Sequence, residues 1–186
     1  MQLRSAFIGL ALTLAAGSAQ AYEPLVEKQS FTIPSFKTQG GETVKEMKLG
    51  WEAYGTLNEA KDNAILITHY FSGNSHAAGK YAADDKQPGY WDSIIGSGKP
   101  VDTDKYYVIA VDTPVNLGFH NPKVVTTGPA SINPDTGKPY GMSFPIVTIR
   151  DFVETQKALL DQLGIETLHA VMGASMGSLQ AYEWAA

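Results

Sequence analysis

The chain has 186 residues, 44% of them hydrophobic, with 14 basic and 19 acidic side chains, a net charge of −5 and no cysteine. That length and apolar fraction suit one ordinary domain with a core of its own and argue against disorder. The negative balance makes nucleic acid and anionic membranes poor partners, and the missing thiols exclude disulfides, cysteine nucleophiles and cysteine metal sites.

Arg4 supplies a positive start, Ala6 to Ala16 form an apolar run too short to cross a bilayer, and Ala19-Gln20-Ala21 has the small-x-small form of a cleavage site. Residues 1–21 are therefore expected to be a signal peptide cut after Ala21, with 22–186 forming part of a single domain. An uncleaved anchor would need an apolar run nearly twice as long. The expected location is the periplasm or the exterior, with no membrane attachment once the leader is gone.

Phe31 to Gly55 reads as two strands and a turn, with Val44, Met47, Leu49, Trp51 and Ala53 approximating a period of two. Ala64 to Tyr70 and Tyr106 to Val111 are nearly continuous apolar runs rich in β-branched residues, the pattern of strands buried on both faces of a parallel sheet. Gly89 to Ile95 has the composition of a short helix between them. Residues 113–146 are dense in Pro, Gly and Asn without a sustained period, which predicts a long ordered cover rather than a loose linker. A helix follows, with Thr148 and Asp151 as a capping box, Ile149, Phe152, Val153, Leu159, Leu160 and Leu163 as its inward stripe, and Gly164 as its left-handed stop. Thr167 to Met172 is the next strand. The alternation is that of a parallel sheet wound with helices and entered through an antiparallel hairpin, with no internal repeat and no second domain.

In such sheets ligands bind beyond the carboxyl ends of the strands. There the last strand runs into Gly173-Ala174-Ser175-Met176-Gly177, a Gly-x-Ser-x-Gly pattern in which a strand turns sharply into a helix and holds the serine hydroxyl exposed. Side chains at Gly173 or Gly177 would collide with the elements the turn folds back upon. Ser175 is the candidate nucleophile. The oxyanion donors expected of such a turn are the backbone N–H of Met176, just after the serine, and that of Phe71, in the loop after the third strand.

A serine hydroxyl needs a histidine base and an orienting acid, which in this arrangement follow the serine along the chain. Nothing after Ser175 qualifies, so the triad acid and histidine are expected outside these residues. His69, at a strand end, suits a structural role that holds the next loop. His76 and His120 read as loop residues on a solvated surface, and His169 as a core histidine. No two histidines are spaced as a metal pair on one helix face, and no metal is expected.

The segments WEAYGTLNEAKDNAILITHYFSGNSHAAG, PGYWDSIIGSGKPVDTDKYYVI and TTGPASINPDTGKPYGMSFPIVTIRDFVETQKALLDQLGIETLHAVMGASMGSLQAYEWA, taken in order, resemble the amino-terminal half of the homoserine O-acetyltransferase family. The resemblance covers about residues 50–186 and implies an α/β-hydrolase fold whose carboxy-terminal half is absent from this chain. It also implies acyl transfer from acetyl-CoA or another acyl-CoA, a co-substrate rather than a bound cofactor, to a hydroxyl acceptor through an acyl-enzyme on Ser175, and a homodimer for the complete protein. Pro114 to Lys123 stands where the family has a glycine-rich run. Export separates the chain from cytoplasmic acetyl-CoA, so a secreted esterase, which passes the acyl group to water, is the alternative enzyme. A non-catalytic fragment or binding module is the alternative outside enzymes.

Overall fold

The computed structural model describes residues 25–186, and the expected signal peptide lies outside the described residues. Five strands form the main sheet: β1 (Gln29–Lys37), β2 (Thr43–Tyr54), β3 (Ala64–Thr68), β4 (Tyr107–Val111) and β5 (Ala170–Gly173). Their order across the sheet is β1-β2-β4-β3-β5. β1 pairs antiparallel with β2 and β2 antiparallel with β4, whereas β4, β3 and β5 run parallel. The fold is thus the expected α/β-hydrolase arrangement, a mostly parallel sheet with an amino-terminal antiparallel hairpin.

The hairpin keeps one apolar face although its inward residues do not alternate strictly. Phe31 and Phe36 in β1, and Val44, Met47 and Leu49 in β2, are all buried, so each strand skips one position. The skips face each other at Pro34, which has no N–H to donate, and Glu46, whose φ of 52° lies in the left-handed region. Both strands change phase together, and the same face stays inward.

Alternation in the parallel strands sends Ala64 and Leu66 of β3 to one core and Ile65 and Ile67 to the other. The first core is closed by α1 (Ile149–Leu163), with α2 (Met176–Trp184) packed beside it. The second face carries no helix among the described residues. It is covered by the irregular stretch that brings Ala77, Ala78, Ile95 and Val101 against Val108 and Ala110.

Thr148 caps α1 as expected: its side chain accepts from Asp151 N, and Asp151 Oδ2 accepts from Thr148 N at 2.7 Å. Gly164 (φ 69°) closes the helix in the left-handed conformation, with Ile165 N donating to Leu160 O at 2.9 Å. Its buried face is wider than the apolar stripe, because Asp151, Thr155 and Gln156 are also inside.

Three expectations change. Within Gly89 to Ile95, residues 90–94 form successive turns rather than a helix, Ile95 enters a two-residue strand paired with Val101, and Gly89 packs so closely on Ala78 that a Cβ would lie 2.2 Å from Ala78 N. The strand expected at Thr167 to Met172 spans Ala170–Gly173, entered by His169 N donating to Ala64 O at 2.7 Å. The cover over residues 113–146 is ordered but lies largely along the hairpin: Gly50 N donates to Val125 O at 2.7 Å, Lys48 N to Thr127 Oγ1 at 2.8 Å, and Tyr140 joins the hairpin core.

Candidate active site

Register brings the sequence-predicted residues to one edge. Thr68 pairs with Gly173 across the parallel β3–β5 ladder, and Ile67 with Ala110 across β3–β4. The loops after β3, β4 and β5 therefore leave the sheet side by side at its carboxyl end, where a doubly wound sheet opens.

Ser175 occupies the turn between β5 and α2 with φ 55° and ψ −124°, a backbone conformation that destabilises a non-glycine residue by about 1–3 kcal/mol. It is exposed, and its side chain makes no capping hydrogen bond. The turn is possible only because its flanks are bare. A Cβ at Gly173 would lie 2.2 Å from Thr68 Oγ1, and one at Gly177 would lie 2.1 Å from Thr68 O.

Thr68 braces that crossing. Its hydroxyl sits 2.9 Å from Gly177 O and 3.2 Å from Met172 O, touching both limbs of the turn. Behind it, buried Gln180 of α2 donates to His69 O at 3.2 Å and accepts from Gln156 of α1 at 2.6 Å. Trp184 Nε1 donates to Gln156 Oε1 at 2.8 Å, so β3, α2 and α1 share one run of neutral amide contacts. Glu183, the only acid after Ser175, is ion-paired with Arg150.

The loop after β3 is held from its other side. His69 is buried, and its Nδ1 lies 2.7 Å from Tyr70 O. A carbonyl only accepts, so the proton sits on Nδ1 and leaves Nε2 to accept from Thr113 N at 3.2 Å and Asn116 Nδ2 at 3.3 Å. Asn116 also donates to Gly73 O at 3.0 Å. Burial pushes the His69 imidazole below its ordinary value of 6.5. Both nitrogens are occupied in holding the loop, the structural role expected from its position.

Phe71 lies in that loop 63% exposed, so its side chain does not anchor the backbone. Among the described residues the N–H groups of Phe71 and Met176 have no hydrogen-bond acceptor, and Met176 opens α2, where the first amides are left over by the helix. Two unpaired donors thus stand on the two loops that flank the β3–β5 register pair.

Two of the other three histidines are placed differently from expectation. His76 is not on a solvated surface: its Nδ1 lies 3.0 Å from Glu52 Oε2 and its ring stacks on Tyr81 at 4.1 Å. His169 is exposed rather than in the core, with its ring 4.7 Å from that of Tyr106. His120 is exposed beside Phe119, as its loop position suggests.

Glu52 was absent from the sequence expectations. It is fully buried in β2 and gathers Lys28 Nζ at 2.8 Å, Tyr81 OH at 2.6 Å, Tyr54 OH at 2.9 Å and His76. Burial pushes its carboxyl up, yet the contacts from His76, Lys28 and Tyr81 outweigh that and hold it below its ordinary 4.5. Its signal was available: β2 from Leu49 to Tyr54 is apolar on both faces except for this one acid. Among the described residues, no group of three or more side chains is arranged to bind a metal ion, and no helix is long and apolar enough to cross a membrane.

No family model matches the chain. It is 53% identical over 174 residues to a homoserine O-succinyltransferase of Magnetococcus marinus, covering 88% of this chain and 43% of that protein. It is 51% identical over 149 residues to a homoserine O-acetyltransferase of Methanococcoides burtonii, covering 80% of this chain and 29% of that one. Among solved structures, esterase E22 is 67% identical with a TM-score of 0.85 over 87% of this chain and 44% of its own. The homoserine O-acetyltransferase from Bacillus anthracis is 47% identical with a TM-score of 0.86 over 88% and 43%. The chain spans less than half the length of each of these relatives. The chain thus has the α/β-hydrolase fold, and its sequence is similar to part of homoserine acyltransferases and of an esterase.

Proposed function

We propose that the chain carries the nucleophile and anion site of a serine acyl-transfer enzyme resembling homoserine O-acetyltransferase. The observation behind this reading is the strained, exposed Ser175 between two glycines that admit no side chain, with the free N–H groups of Met176 and Phe71 on the adjoining loops. Ser175 Oγ attacks the acyl carbonyl of a thioester or ester and gives up its proton to a histidine base. The resulting oxyanion is held by Phe71 N–H and Met176 N–H, and the leaving thiol or alcohol departs with the proton. The acceptor hydroxyl then attacks the acyl-enzyme, returning Ser175 to its starting state. The base and its orienting acid follow the serine along the chain in such folds and are not among these residues, and His69 and His76 are engaged elsewhere.

Water as acceptor is the second reading, favoured by the 67% identity to esterase E22. Full-length protein given acetyl-CoA or an acetyl ester, with and without homoserine, separates the two. A transferase yields an acetylated acceptor at the expense of free acetate; an esterase yields acetate at one rate whatever acceptor is present. Ser175→Ala is expected to abolish either activity, by at least about a thousandfold, and wild-type turnover in that variant would remove Ser175 from the mechanism.

We further propose export through residues 1–21. Amino-terminal sequencing of the mature protein is expected to begin at Tyr22; a mature chain beginning at Met1 would end that proposal. A homodimer of the full-length protein is checked by its sedimentation.

A further inference from the structure

We propose that Glu52 is a positioning residue that sets the anion-binding loop after β3, a role resting on the reading of Ser175 and Phe71 given above. The loop from His69 to Gly79 is placed by hydrogen bonds more than by apolar contact. Phe71 points outward, and the inward residues Ser75, Ala77 and Ala78 are small. Asp112 Oδ1 accepts from Ser75 N at 2.7 Å, and Tyr54 OH accepts from Ala77 N at 2.9 Å and Ala78 N at 3.1 Å. At its near end the loop is held by His69 and Asn116.

Glu52 lies beneath all of this. By accepting the Tyr54 proton it leaves the phenol oxygen free to receive both alanine amides. It fixes Lys28, which also contacts Ser75 Oγ and lies 3.5 Å from Asp112 Oδ2, and it anchors His76 directly. Four donors from three separate segments converge on one carboxylate with no solvent access. A carboxylate is the only side chain that offers two oxygens able to accept all four. Tyr81, stacked on His76 and covered by Lys123 Nζ at 3.8 Å from its ring centroid, links the cluster to the loop after β4. The cluster therefore couples the loop that carries Phe71 to β2, to Lys28 and to the loop after β4 through a single acid.

Glu52→Gln tests this in the full-length protein. Gln keeps the shape but offers one accepting oxygen and adds an NH₂ facing other donors. With p-nitrophenyl acetate as probe, at a temperature where circular dichroism shows the variant fully folded, kcat is expected to fall about tenfold with KM within about twofold, as for a misplaced transition-state donor. Amide exchange at Ala77 and Ala78 should quicken while exchange in α1 stays unchanged. Tyr54→Phe, which removes only the oxygen linking Glu52 to the two alanines, should do the same to a smaller degree, and it decides the matter if the Gln variant does not fold. A kcat within about twofold of wild type in the folded Gln variant, or in Tyr54→Phe where Gln fails to fold, overturns the role of Glu52. Ser175→Ala in parallel separates the failures. If it abolishes turnover while the other variants retain it, only the positioning role falls; if it retains turnover, the serine reading falls and takes this proposal with it.

Discussion

The elbow around Ser175 and the loop around Phe71 stand side by side at one sheet edge, yet they are held by opposite means. The elbow depends on missing atoms: Gly173 and Gly177 let backbone approach backbone, and neutral groups from Thr68, Gln180 and Gln156 complete the support. The loop depends on buried charge: Lys28, Glu52 and Asp112 gather its amides and its neighbours. Bare backbone contact makes the elbow sensitive to volume. Buried ion pairing makes the loop sensitive to charge and, through it, to pH.

The largest expected effect tests volume. Gly177→Ala puts a Cβ 2.1 Å from the Thr68 carbonyl oxygen, a backbone atom that has nowhere to go, and should destabilise the chain by about 3 kcal/mol in urea unfolding. Gly73→Ala in the loop meets nothing nearer than His69 Cβ and Tyr70 O at 3.1 Å and should lose about 1 kcal/mol or less. Equal losses at the two glycines would break the contrast.

Charge is tested next. Lys28→Met leaves Glu52 and Asp112 buried without their shared cation and should lower stability by about 2–3 kcal/mol, read from the thermal midpoint at neutral pH. The neutral counterpart, Thr68→Val, keeps the volume but removes the hydroxyl from Gly177 O and should lose about 1 kcal/mol in the same measurement. A larger effect from Thr68→Val than from Lys28→Met would reverse the assignment of neutral and charged support.

The smallest effect is a pH slope. Burial keeps the folded His69 below 6.5, so as pH falls through 6.5 the unfolded chain takes up a proton that the folded chain refuses. The stability this contributes is complete above 6.5 and is lost toward the lower folded value. Glu52 adds a second loss that begins only below 4.5. His69→Gln should therefore flatten the thermal midpoint as pH falls below 6.5 and leave the fall that begins below 4.5 in place. An unchanged slope just below pH 6.5 would show that His69 titrates alike in both states.

The sequence alone determined the features written in local pattern. The capping box at Thr148 and the stop at Gly164 are decided within one helical turn, and the apolar runs at 64–70 and 106–111 announce strands covered on both faces. The glycine-serine turn at 173–177 is written in a local pattern too, although the atoms that exclude side chains at Gly173 and Gly177 belong largely to Thr68, distant in the chain. Tertiary structure decided what depends on partners distant in the chain. Glu52 shows in the sequence only as the one acid in an apolar stretch of β2, its partners Lys28, His76 and Tyr81 appear only when the segments pack, and His76 reads as surface until Glu52 is placed beneath it. His169 reads as core until β5 is found to begin after it, at Ala170. Burial and charge pairing are properties of packing between segments dozens of residues apart, and no local period records them.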